Sequence, residues 1–137
     1  MSHKDAIRIV LVGTQHPGNI GSAARAMKTM GLANLVLVAP KRYPDPEATA
    51  LAAGAADILE QAQVVSSVQE ALAGCTYVIG TSSRERAVVL PELWPRQAAS
   101  ELVDKSTRSP VALLFGPERT ALENEELQLC HARVFIP

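Results

Sequence analysis

A chain of 137 residues fits one domain and can bury roughly two-thirds of its unfolded surface, so its core needs no disulfide or metal staple. Its 13 Lys and Arg against 14 Asp and Glu leave a formal net charge of −1, which removes any global sign of nucleic-acid binding. Only two Phe, two Tyr and one Trp are present, so the core must be Ala, Val, Leu and Ile, a composition suited to parallel strands under alanine-rich helices.

Charge is unevenly distributed. Up to Pro44 the cations Lys4, Arg8, Arg25, Lys28, Lys41 and Arg42 face Asp5 alone, and residues 45–80 hold only acids. One basic face or an ordinary solvated helix surface explains this equally well. Cys75 and Cys130 stand singly in or beside apolar segments, with no CxxC spacing, and read as buried reduced thiols with no metal site. No signal-peptide pattern or long apolar run occurs, and a cytoplasmic setting is expected.

Residues 7–13 read as a first strand. Residues 16–30 (HPGNIGSAARAMKTM) follow with helical spacing: Asn19 as the N-cap, Ile20, Ala23, Ala24, Met27 and Met30 toward a core, and Gly31 at the C-terminus. Arg25 lies off the apolar stripe. Helical side chains lean toward the N-terminus, so Arg25 is directed at whatever anion, a phosphate above all, the free N–H groups there attract. A second strand at 34–39 leads into a basic loop bounded by Pro40 and Pro44. Asp45 and Pro46 then start a helix that runs to Gly54. A short strand at 63–65 precedes a capping box, Ser67 to Glu70, whose helix ends at Gly74. Residues 75–80 read as a fourth strand. Residues 81–96 have no sustained period and read as a long functional or mobile loop. A helix near 97–105, a strand at 110–115, a helix at 123–129 and a sixth strand from Arg133 to Ile136 complete the chain. Such alternation predicts an α/β fold, a mostly parallel sheet with helices on both faces, and ligands gathered at the carboxyl ends of its strands.

The first loop, GTQHPGNIGS, lacks both GxGxxG and the GK[ST] ending of a P-loop, so dinucleotide or P-loop chemistry is a weak reading. Three loops together are more informative: Pro17, Asn19, Gly21 and Arg25; then Thr81-Ser82-Ser83-Arg84; then residues 114–119, LFGPER. In this order and separation they resemble the SPOUT class of RNA methyltransferases, and the segments ARAMKTMGL, LAAGA, EALAGC and NEEL are similar to the catalytic domain of its TrmJ-type tRNA 2′-O-methyltransferases.

That resemblance implies a sheet whose C-terminal segment forms a trefoil knot, bent S-adenosylmethionine bound there, a homodimer, and methylation of a pyrimidine ribose 2′-hydroxyl in the tRNA anticodon loop. Carried over by position, it implies Arg25 as the catalytic residue, Thr81, Ser82, Ser83, Gly116 and Ile136 at the cofactor, and Asn19, Arg25, Arg84 and Glu118 toward the RNA. Two departures stand out. Ala121 replaces a glycine of the family pattern, so a differently shaped turn is expected after Arg119. The family's Ser-Leu-Asn loop would follow Pro137, so residues 1–137 read as one catalytic domain, incomplete at its C-terminus and lacking the knot-forming segment and the separate RNA-binding domain. The alternative function is a folded RNA- or partner-binding module with an incomplete cofactor site.

Each residue also has a plainer reading. Arg25 can be a solvated surface residue, Asn19 only a cap, Thr81 to Ser83 a turn cluster, and His16 a surface histidine. Arg84 and Arg86 either contact RNA or pair with Glu85 and Glu92. Glu118 is more readily a partner of Arg119 or a helix N-terminal charge than a general base. Met27 and Met30 read as core, and Trp94 as a packing anchor for the long loop.

Overall fold

The computed structural model describes residues 3–82 and 88–135. Its strands are β1 (Ile7–Val12), β2 (Asn34–Val38), β3 (Gln63–Val65), β4 (Tyr77–Ser82), β5 (Glu92–Leu93), β6 (Val111–Phe115) and β7 (Ala132–Phe135). Its α-helices are α1 (His3–Ala6), α2 (Pro17–Thr29), α3 (Pro46–Ala52), α4 (Ala56–Gln61), α5 (Val68–Ala71), α6 (Pro95–Ser106) and α7 (Asn124–Leu127). All seven strands are parallel, in the order β3-β2-β1-β6-β4-β7-β5. The expected sheet is therefore present. It has one strand more than the sequence suggested, because Glu92 and Leu93 pair with Arg133 and Val134 inside the stretch read as loop.

Alternation along the strands builds two cores. Ile7, Ile9 and Leu11 of β1 face α2, α3, α4 and α6, while Val10 and Val12 face α5 and α7. The helix starts follow local chemistry. Asp45 caps α3 by accepting from the Glu47 N–H at 2.9 Å, and Ser67 caps α5 from the Glu70 N–H at 3.1 Å. Arg8 reaches across to the other end of α5, donating from Nη1 to the carbonyls of Ala71 (2.7 Å) and Ala73 (2.9 Å).

Helix α2 begins earlier than its sequence suggested. His16 occupies the N-cap position with extended backbone and Pro17 is the first helical residue. Asn19 is inside the helix, so it does not cap it. Met27 is buried as expected, but Met30 lies past the helix end and is 63% exposed. Trp94 is likewise exposed rather than a packing anchor; its backbone N–H donates to Gln97 Oε1 at 2.8 Å as α6 starts.

Gly21 sets the approach of α2 to α3, since a methyl group there would overlap the carbonyl of Ala48. Alanine favours a helix interior over glycine by about 1 kcal/mol, whereas a forced backbone shift costs about 1–3 kcal/mol. Gly21→Ala is therefore expected to lower stability by up to about 2 kcal/mol net, read from the midpoint of urea unfolding. A gain in stability would show that the two helices do not meet at this glycine.

Candidate active site

The loops after β1 and β6 meet at the carboxyl edge of the sheet because those strands are neighbours. Gly13, at φ +62, takes the left-handed turn out of β1, beside the Pro117 ring. Glu118 then joins the two loops. Its Oε1 accepts from the Gln15 N–H at 2.9 Å, and its Oε2 accepts from the His16 N–H at 3.1 Å and from Asn19 Nδ2 at 2.7 Å. The anion at the start of α2 is thus a carboxylate of the chain itself, where the sequence suggested a phosphate. Asn19 donates to that carboxylate instead of accepting a backbone N–H, because Pro17 already sets the first helical turn and Glu118 serves the N–H groups ahead of it.

Partial burial pushes the Glu118 carboxyl up, but the hydrogen bonds from Gln15, Asn19, its own backbone and His16 together outweigh it, and the net shift is downward. A depressed carboxyl contributes stability above its unfolded value and loses it as pH falls through its folded value. The joint is therefore intact at neutral pH and opens only in acid below the usual glutamate range. Glu118 is held as a carboxylate acceptor, which does not suit it to deliver or collect a proton near neutrality.

Arg25 lies on the exposed side of α2. Six residues separate it from Asn19, about 9 Å along the axis, and the structure does not bring the two side chains into contact. Its neighbour Lys28 is neutralised by Asp57 at 2.8 Å. No acidic side chain among the described residues pairs with Arg25, so its guanidinium is open to an anion from outside the chain.

On the other side of β6, the register Gly80↔Leu114 and Gly80↔Arg133 brings the ends of β4, β6 and β7 together. Thr81 donates from Oγ1 to the Leu114 carbonyl at 2.9 Å, and Ser82 is buried. Gly116 is needed for the return of its own loop: a Cβ there would overlap the backbone of Ala121 and Leu122. Ser83, Arg84 and Ile136 lie outside the described residues. Glu92, one of the two acids suggested as partners for Arg84 and Arg86, lies 3.5 Å from Arg133 Nη2. The Nε and Nη1 groups of Arg133 are buried without a hydrogen-bond partner. Buried donors without a partner, on the residue of β7 registered with Gly80 of β4, fit an acceptor-bearing guest such as S-adenosylmethionine, which carries a carboxylate and a ribose.

Ala121 has φ +59, in the region that favours glycine. The turn thus keeps a glycine-like backbone despite the alanine. Ala121→Gly is expected to raise stability by about 0.5–1 kcal/mol, the relief of left-handed strain less the added freedom of the unfolded chain. Thermal unfolding of the two forms side by side checks this, and a lower midpoint for the glycine form would contradict it.

An apolar groove of about 670 Å³ runs from this edge between α2 and α6, with Asn19, Gly116 and Glu118 at one end and Met30 and Leu32 at the other. Among the described residues no cluster of His, Cys, Asp or Glu could hold a metal ion, and no helix is long and apolar enough to cross a membrane. Both cysteines are free. The thiol of Cys130 is pushed up to about 12, mainly by burial and further by Glu126.

Residues 6–137 match the SpoU rRNA Methylase family. The chain belongs to that family. Within the SpoU family it is 56% identical over 131 residues to the tRNA (cytidine/uridine-2'-O-)-methyltransferase TrmJ of Sodalis glossinidius (strain morsitans), covering 96% of this chain and 51% of that protein. It shares its fold with a probable methylase family protein of Haemophilus influenzae Rd KW20 (TM-score 0.90, 50% identity, 97% of this chain and 56% of the other). TrmJ from Z. mobilis ZM4 is also similar (TM-score 0.89, 42% identity, 95% and 58%). The chain spans about half the length of the curated relatives it matches.

The Glu118 joint had no local signal, since the carboxylate and its partners stand about a hundred residues apart. Gln15 takes part through its backbone alone, and no side-chain pattern reveals that.

Proposed function

We propose that this protein is an S-adenosylmethionine-dependent tRNA methyltransferase acting on a pyrimidine ribose 2′-hydroxyl in the anticodon loop. The observation that carries the reading is the joint at the carboxyl edge. Glu118 bonds Asn19 and the start of α2 to the loop that carries Gly116, which supports a substrate side and a cofactor side joined through one carboxylate. The kinship with enzymes named tRNA (cytidine/uridine-2'-O-)-methyltransferase supports the substrate.

Thr81, Ser82 and Gly116 are the described residues that would hold the cofactor, with Ser83 and Ile136 proposed alongside them. When bound, S-adenosylmethionine supplies a methyl group on a positive sulfur. The chain's own task is alignment, since in-line displacement needs the ribose oxygen within roughly 3–3.5 Å of the methyl carbon. Arg25 acts by gripping the phosphate next to the target ribose with its planar fork. Asn19, held by Glu118, faces the same substrate side, and Arg84 is proposed to add a backbone contact.

Residues 1–137 are read as one catalytic domain, which their single sheet supports. A homodimer in the cytoplasm, where tRNA is found, is the proposed state of the intact protein, and sedimentation velocity tests the dimer. The central experiment incubates the full-length protein with labelled S-adenosylmethionine and unmodified tRNA, then maps the label. Methylation of an anticodon-loop ribose, seen as resistance of the adjoining phosphodiester to alkali, is expected. Label on a base, or tRNA bound without transfer, would overturn the reading; the latter is the outcome for a pure binding module.

A further inference from the structure

The basic loop between β2 and α3 takes no part in the site described so far. Lys41 and Arg42 are exposed, and no acidic side chain among the described residues pairs with either. The loop is built to hold that position. The Lys41 N–H donates to the Thr14 carbonyl at 3.0 Å, and the Gly13 N–H donates to the Val38 carbonyl at 2.8 Å, so the loops after β2 and β1 are bonded to each other. Tyr43 packs against the core beside α4 and donates its hydroxyl to the Leu59 carbonyl at 2.8 Å. The nearest acid in the chain, Asp45, already accepts from the Glu47 N–H. Glu118, beyond Thr14, has its carboxylate taken up by three donors. Glu125 and Glu126 border a separate cleft lined by Val38 and Ala39, on the α5 and α7 face of the sheet. The chain then crosses to the α2 face, where Tyr43 packs, and the loop that carries the two cations is bonded to the first loop through the Lys41 backbone.

We propose that Lys41 and Arg42 form a second contact for the RNA sugar-phosphate backbone, continuous with the substrate side of the site through Thr14, Gln15 and His16. The inference rests on the tRNA reading and deepens it. Two free cations on an anchored loop, next to the residues that face the target ribose, give a flexible polyanion a second point of attachment. Such contacts position the strand and carry no base information. The uneven charge of the sequence thereby acquires a function at this loop.

The test measures binding of unmodified tRNA to the full-length protein by fluorescence anisotropy across a KCl series, for wild type, Lys41→Ala/Arg42→Ala and Lys41→Arg/Arg42→Lys. The alanine pair is expected to bind roughly tenfold more weakly at moderate salt, with a log–log salt slope shallower by roughly 1–2, as two lost phosphate contacts require. S-Adenosylmethionine affinity and thermal midpoint are expected to stay at wild-type values, and the swapped pair to bind as wild type does. If wild type binds tRNA and the alanine pair matches it in affinity and slope, the contact does not exist. If wild type itself fails to bind tRNA, the substrate reading falls and this contact with it. Equal weakening toward tRNA and toward an acidic polypeptide such as polyglutamate, with an unchanged salt slope for tRNA, would also reject an RNA-backbone role.

Discussion

Replacing Glu118 by glutamine in the full-length protein is expected to slow methyl transfer to tRNA on the order of 100-fold, the scale on which a displacement of about 1 Å costs a positioned reaction. The charge-assisted bonds from the Gln15 and His16 N–H groups and from Asn19 all end on this carboxylate. A glutamine offers one carbonyl oxygen and turns an NH2 donor toward donors, so at least one of the three bonds becomes a clash. The loss belongs in kcat, with tRNA affinity reduced far less, because Glu118 acts through Asn19 and the α2 start. A pH profile gives the second readout. The depressed carboxyl predicts no limb assignable to Glu118 in wild-type activity between pH 6 and 9, so none should vanish in the variant. A Glu118→Gln enzyme turning over near the wild-type rate would show that the joint does not set the geometry of transfer.

Arg25→Lys is expected to have an effect of similar size, again on the order of 100-fold in methyl transfer, with a different signature. The charge is kept, so weak encounter with tRNA persists, but an ammonium cannot reproduce the two-pronged grip on a phosphate. Because Arg25 is exposed and has no acidic partner among the described residues, the substitution should leave the thermal midpoint unchanged. This separates it from Lys28, whose ion pair with Asp57 is a solvated surface contact of small value. Single-turnover transfer with saturating cofactor measures the effect, and a rate within about threefold of wild type would remove Arg25 from the positioning role.

Both expectations rest on side chains that bear differently on the fold. Glu118 ties two loops of the chain to each other; Arg25 takes no part in that joint. The Gly116 loop packs so tightly on residues 121 and 122 that its shape is set from inside the protein. The loops that carry Glu118 and Gly116 are thus held by contacts within the chain, and bringing the RNA into line with them is the role proposed for Arg25 and for the loop of Lys41 and Arg42.

The sequence by itself determined the alternation of strands and helices, because each element carries its own signal. Apolar runs mark β1, β2, β4 and β6. Asp45 before Pro46 starts α3, and Ser67 with Glu70 starts α5, through bonds spanning three residues or fewer. The same local character explains the errors at element ends. Asn19 has the chemistry of a cap, yet Pro17 opens the helix two residues earlier, and Met30 has the chemistry of core but falls where the open groove leaves it uncovered. Only the tertiary structure decided what depends on strand order. Inserting β6 between β1 and β4 sets Glu118 against Gln15, His16 and Asn19, and placing β7 beside β4 sets Arg133, with its two buried unpartnered donors, in register with Gly80. These contacts join residues about 50 to 100 positions apart, and no local pattern encodes which distant strand becomes a neighbour. That choice emerges from burying both faces of the sheet at once.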